Sequence, residues 1–143
     1  MGELMYCGVK AVIRRQDGRI LFVKQHTPSL PSLAWYLTLP GGRLDTGEDP
    51  YNALKREIME EVKLKIEIGK PLGMYYFLRE DGKQTTLTVF ECVAQDLSKL
   101  DMEKNEDSTE EFHGMEWLTA KEALEKNYPV ASESFRQFLG TLE

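Results

Sequence analysis

An α/β or α+β sandwich is the fold class predicted here, on three observations. β-rich runs recur along the chain, Asp-Gly turn signals separate two pairs of them, and a capped amphipathic helix interrupts the series before two shorter helical patterns close it. No internal repeat is visible. At 143 residues and 41% hydrophobic, residues 1–143 form one domain with enough apolar material for a core. No run approaches the roughly 20 apolar residues that cross a bilayer. The opening MGELMY has neither a basic nor an apolar leader region, so the expectation is a cytoplasmic protein with no membrane partner. Tyr6 stands where a myristoylation signal after Gly2 needs Ser or Thr. The net charge of −6 excludes non-specific binding to a nucleic-acid polymer, which depends on surplus Lys and Arg. Cys7 and Cys92 are too far apart for close-spaced zinc ligation and read as buried free thiols.

In chain order, residues 9–14 and 20–24 flank Gln16-Asp17-Gly18 and predict a β-hairpin in the core sheet. Residues 26–31, with two prolines, read as a loop, 35–39 as extended chain, and Pro40-Gly41-Gly42 as the break that ends it. Asp49 followed by Pro50 is an N-cap and first-position signal for a helix over 51–62. On its wheel Tyr51, Leu54, Ile58 and Val62 form an apolar stripe. Residues 72–78 and 85–93, joined by Glu80-Asp81-Gly82-Lys83, predict a second hairpin, and the acidic stretch 96–111 a mobile loop. A short strand over 115–118, a helix over 119–126 capped by Thr119 and a helix over 132–139 complete the order.

Glu57, Glu60 and Glu61 stand at i, i+3 and i+4, so they share one helix surface. Their mutual repulsion is only about 0.2–0.5 kcal/mol per pair, so a solvated acidic face and a ligand site are both open on this ground. As a ligand set, oxygens alone suit a hard cation, Mg²⁺ or Mn²⁺, more than zinc.

The wider spacing is more specific. From Gly42, five residues lead to Glu48, seven more to Arg56-Glu57, then Ile58, Met59, Glu60, Glu61, Val62, Lys63 and Leu64. This resembles the Nudix box, Gly-x5-Glu-x7-Arg-Glu-U-x-Glu-Glu-x-Gly-U with U aliphatic, over residues 42–64. At roughly 6% usage per fixed position, chance yields such a match about once in a million chains of this size. Lys63 departs from it, standing where the family has the glycine that ends the helix. A lysine there implies left-handed strain on the order of 1–2 kcal/mol or a helix that ends differently. Leu39-Pro40-Gly41-Gly42 is similar to the family's entry turn, and the opening hairpin and Met115-Glu116-Trp117-Leu118 fall in its usual order.

The resemblance to the Nudix hydrolases, of the MutT-like kind, implies an α/β/α sandwich with a mixed β-sheet and the box as loop-helix-loop. It implies a pyrophosphohydrolase of a nucleoside diphosphate linked to another moiety, dependent on Mg²⁺ or Mn²⁺. By the same analogy Glu57 and Glu61 are metal ligands, with Glu60 next and a backbone carbonyl of the Gly41-Gly42 turn as a further oxygen. Arg56 orients a glutamate, and Glu48 partners Arg56 or shapes the loop. The general base is Glu57 of the box or a downstream glutamate, Glu111 or its neighbour Glu110, which also serve as candidate metal ligands. Arg43 and Lys24 are candidate phosphate contacts, and Tyr75, Tyr76, Phe77 or Trp35 candidate stacking partners for a base.

Small size favours a nucleoside triphosphate substrate, with ADP-ribose or a nucleotide sugar as runner-up. Glu80 and Asp81 occupy the positions where a proline and a tyrosine would mark ADP-ribose and dinucleoside polyphosphates. Two readings of another class compete with hydrolysis: a non-catalytic nucleotide-binding module, and a scaffold binding a basic partner through residues 101–111. Dimers are common in the family, so a homodimer is compatible with the resemblance.

Overall fold

The computed structural model describes residues 5–102 and 111–142. Its elements are β1 (Met5–Ile13), β2 (Ile20–His26), β3 (Tyr36–Thr38), β4 (Gly41–Arg43), α1 (Pro50–Val62), β5 (Ile66–Leu78), β6 (Gln84–Ala94), β7 (Glu111–Leu118), α2 (Ala120–Glu125) and α3 (Glu133–Leu139). One sheet runs β4-β1-β6-β5, with β1 parallel to β6 and the other pairs antiparallel; a second runs β3-β2-β7. Alternate residues of the inner strands feed two cores. Val9, Ala11, Ile13, Leu21 and Val23 pack with Leu54, Ile58 and Val62 of α1, while Val12, Ile20 and Phe22 pack with Phe135, Phe138 and Leu139 of α3. Strands buried on both faces and covered by helices on either side make the α/β/α sandwich.

The expected first hairpin is not a hairpin of one sheet. Its turn forms, with Gly18 N–H donating to Arg15 O at 2.9 Å and Arg15 N–H to Arg19 O at 2.8 Å. Beyond the single bridge Arg14–Ile20, however, β1 and β2 part into different sheets. Being apolar on both faces, each strand takes an inner place with its own neighbours, and β1 is paired with β6 along its whole length.

The Pro40-Gly41-Gly42 break is likewise a strand. Gly41 and Gly42 lie opposite Lys10 and Val9, and a Cβ at Gly41, where φ is +139°, would meet Val9 O at 2.1 Å. Only glycine allows that approach. β5 and β7 begin earlier than expected, and the β5 ladder shifts register at Pro71, which has no N–H to donate. The second hairpin forms as expected. Within the acidic stretch, Leu97–Lys99 is one 3₁₀ turn, Glu111 opens β7, and residues 103–110 lie outside the described residues.

α1 is capped by Asp49, whose side chain accepts from Asn52 N–H, and Thr119 with Glu122 builds a capping box on α2. Tyr51 departs from the apolar stripe. Only Leu54, Ile58 and Val62 are buried; Tyr51 is exposed and lays its ring against Phe90, as an amphipathic side chain in a first turn can. Cys7 is also exposed rather than buried, because burial along β1 starts at Gly8. Cys92 is buried, which pushes its thiol up to about 12.

Candidate active site

The buried stripe of α1 fixes the rotation of the helix and turns Glu57 and Glu61 toward β4. Glu61 is 5% exposed, and its Oε1 accepts from Gly41 N–H at 3.0 Å. Glu57 lies so close to Gly42 that a Cβ there would fall 2.7 Å from its carboxyl carbon. The double glycine is therefore what lets a strand backbone touch two helix carboxylates.

Arg56 ties the acidic face together. Its Nε and Nη2 donate to Glu48 Oε2 at 3.1 and 2.8 Å, and its Nη1 donates to Glu57 Oε1 at 3.2 Å and Glu60 Oε1 at 3.1 Å. Glu48 also accepts from Asp45 N–H at 3.0 Å. That backbone bond first, and Arg56 second, hold the Glu48 carboxyl below its ordinary range, while Glu48 first among its partners raises Arg56. Of the two roles the resemblance left open for Glu48, it has both: it partners Arg56 and pins the loop before the helix.

The three glutamates do not converge as a closed cage. Arg56 draws Glu57 and Glu60, the Gly41 amide draws Glu61, and among the described residues no group of three or more His, Cys, Asp or Glu side chains stands ready to hold a metal. The donors that do meet are carboxylate oxygens at a strand backbone, with the Gly41 carbonyl accepting from Lys10 Nζ at 3.5 Å. This hard-oxygen set fits an ion such as Mg²⁺, which keeps waters and completes its shell from substrate phosphates instead of an all-protein cage.

A cleft of about 500 Å³ opens beside this cluster. Gly42, Arg43, Asp45, Arg56 and Glu57 line one part of it; Lys10, Gln25, Tyr36, Tyr75 and Phe77 line the part between the sheets. Gln25 Nε2 donates to Tyr36 OH at 3.0 Å, and burial raises the Tyr75 hydroxyl far above its ordinary value.

Arg43 therefore reaches the cleft, as do Tyr75 and Phe77. Lys24 does not line it: its Nζ pairs with Glu116 at 3.0 Å and sits over the rings of Trp35 and Tyr128. Trp35 is engaged in that cluster, and Tyr76 is exposed. Glu111 opens β7 opposite His26, its side chain 62% exposed and 3.8 Å from His113, and it is not among the cleft residues. Glu110 lies outside the described residues. Sequence reasoning passed over Lys10, Gln25, Tyr36 and Arg79. Lys10 carried a signal, a lone charge inside the otherwise apolar run of β1.

The model of the NUDIX domain matches residues 7–138, nearly the whole chain. The chain belongs to the NUDIX family. It is a Nudix domain, of a family whose hydrolases act on small nucleotides with divalent metal ions.

Its relatives include a MutT-like protein of Streptomyces ambofaciens, 28% identical over 118 residues, which are 82% of this chain and 66% of that one. The Nudix chain thus spans slightly under two thirds of that relative. Its fold is similar to the MutT protein from Methanosarcina mazei Go1, with TM-score 0.77 and 21% identity over 98% of this chain and 94% of that one. It is similar also to the C. elegans Ap4A hydrolase, with TM-score 0.69 and 16% identity over 97% and 94%. At those identities the likeness establishes the Nudix fold, and the differing names of the neighbours leave the substrate to residues outside the box. No helix among the described residues is long and apolar enough to cross a membrane.

Proposed function

We propose that this Nudix domain is a MutT-like nucleoside triphosphate pyrophosphohydrolase using Mg²⁺ or Mn²⁺. The observation that carries the reading is the placement of Glu57, held by Arg56 against Gly42, on the wall of a cleft that Tyr36, Tyr75 and Phe77 also line. A diphosphate lies along the Gly42–Glu57 side, and a base packs toward Tyr36, Tyr75 and Phe77. Glu57, Glu61 and then Glu60 would hold the metal, with the Gly41 carbonyl as a further oxygen. When bound, the divalent cation offsets charge on the phosphate oxygens and acidifies the attacking water.

Glu57 accepts the proton of that water as it attacks one phosphorus of the anhydride. The P–O bond to the neighbouring phosphate breaks, and a nucleoside monophosphate and pyrophosphate leave. Arg43 donates to phosphate oxygens from the cleft wall. Arg56 acts through Glu57 by fixing its orientation, a positioning role.

Product release from a panel of nucleoside triphosphates, ADP-ribose and dinucleoside polyphosphates, with and without divalent metal, tests this. Triphosphate turnover that needs metal and falls about 10²–10⁴-fold in Glu57→Gln is expected. Preference for ADP-ribose would replace the substrate, and an inactive protein that still binds nucleotide would make it a binding module.

A further inference from the structure

Beyond the carboxylate cluster, the same cleft carries a pair of cations, Arg43 and Arg79, of which the proposed reaction uses only Arg43. The guanidinium carbons of Arg43 and Arg79 lie over one aromatic ring, that of Tyr6, at 4.2 and 4.4 Å from its centre. Both arginines line the cleft, one reaching it from the end of β4 and the other from the turn after β5. Two like charges gathered on one ring repel, and a ring contact contributes only about 0.5–1 kcal/mol at an exposed site. A structural need for one cation there would be met by one.

The local charge is incompletely balanced. Asp81 takes Arg79 through Nε at 3.1 Å and Nη2 at 2.9 Å, and is itself fixed by Lys83 N–H at 3.0 Å. Among the described residues, neither Arg79 Nη1 nor any part of the Arg43 fork has a carboxylate partner. Planar forks held against a ring are preorganised for the oxygens of a phosphate, and little further side-chain freedom is lost on binding. Arg43 follows Gly42, the residue in contact with Glu57, and Arg79 lines the same cleft.

We propose that Arg43 and Arg79, aligned by Tyr6, form a second anion subsite that takes a phosphate group beyond the hydrolysed linkage. The domain thereby selects nucleoside polyphosphates over nucleoside diphosphates closed by an uncharged sugar. The proposal rests on the hydrolase reading above for the position of that linkage, and Tyr6 is a positioning residue in it.

Calorimetric titration with inorganic tripolyphosphate in Mg²⁺, and the ratio of kcat/KM for a triphosphate to that for ADP-ribose, test it in Arg79→Gln, Tyr6→Leu and Tyr6→Phe. Loss of a charge-assisted contact predicts tripolyphosphate binding weakened about tenfold or more in Arg79→Gln and in Tyr6→Leu, with a parallel fall in the ratio. Tyr6→Phe, which keeps the ring, restores wild-type behaviour. Equal tripolyphosphate affinity in wild type and Arg79→Gln, or equal damage from Tyr6→Phe and Tyr6→Leu, overturns the subsite. If no compound is hydrolysed but the binding losses appear, the hydrolase reading fails and the subsite stands; normal triphosphate turnover without those losses removes the subsite alone.

Discussion

Arg56 satisfies three carboxylates at once, and the consequence shows in acid. Glu48 is held below its ordinary range by the Asp45 amide and Arg56, so the unfolded chain, where a glutamate titrates near about 4.3, binds more protons than the folded one. The stabilisation is complete above that unfolded value and is lost as the pH falls through the lower folded one. Circular-dichroism melting should therefore give a Tm that is level from pH 7 to about 5 and declines below about pH 4. Glu48→Gln should lower Tm at neutral pH, with the gap to wild type closing in acid. A gap that stays constant down to pH 3 would remove Glu48 from the account.

α1 shows which parts of an element can be read in advance. Its start was legible because Asp49 and Pro50 are local signals, and its inward face because Leu54, Ile58 and Val62 repeat at helical spacing. Its end was readable only as a choice, and the structure makes it: the helix ends at a left-handed residue although that residue is a lysine. Lys63 has φ 63° and ψ 27°, its N–H donates to Met59 O, and its Nζ donates to Glu60 O at 3.3 Å. Lys63→Gly should relieve strain of about 1–2 kcal/mol while adding about 0.5–1 kcal/mol of unfolded-state entropy. The expected net gain raises Tm by about 1–4 °C in thermal unfolding. A lower Tm would mean that the lysine side chain's contacts outweigh the strain.

At the scale of the molecule, the box was legible because its residues are near one another in sequence, whereas the cleft was not. Lys10, Gln25, Tyr36 and Arg79 meet only because β1 and the turn after β5, from one sheet, pack beside β2 and β3 of the other. The same distance hid the separation of β1 and β2 into two sheets, since the turn between them is a local signal and their partners are not. A ligand that binds only the folded arrangement must stabilise it by linkage. Tm should accordingly rise with Mg²⁺ concentration, return on chelation, and respond far less in Glu57→Gln; an equal rise in that variant would place the ion elsewhere.

The parallel pairing of β1 with β6 also sets an order of events during synthesis. Met5 lies opposite Gln84, so at about 5–20 residues per second the ribosome releases β1 about 4–16 s before its parallel partner exists. For that interval the strand has only the short β4 to pair with, and the edge that β6 will cover stays open to other chains.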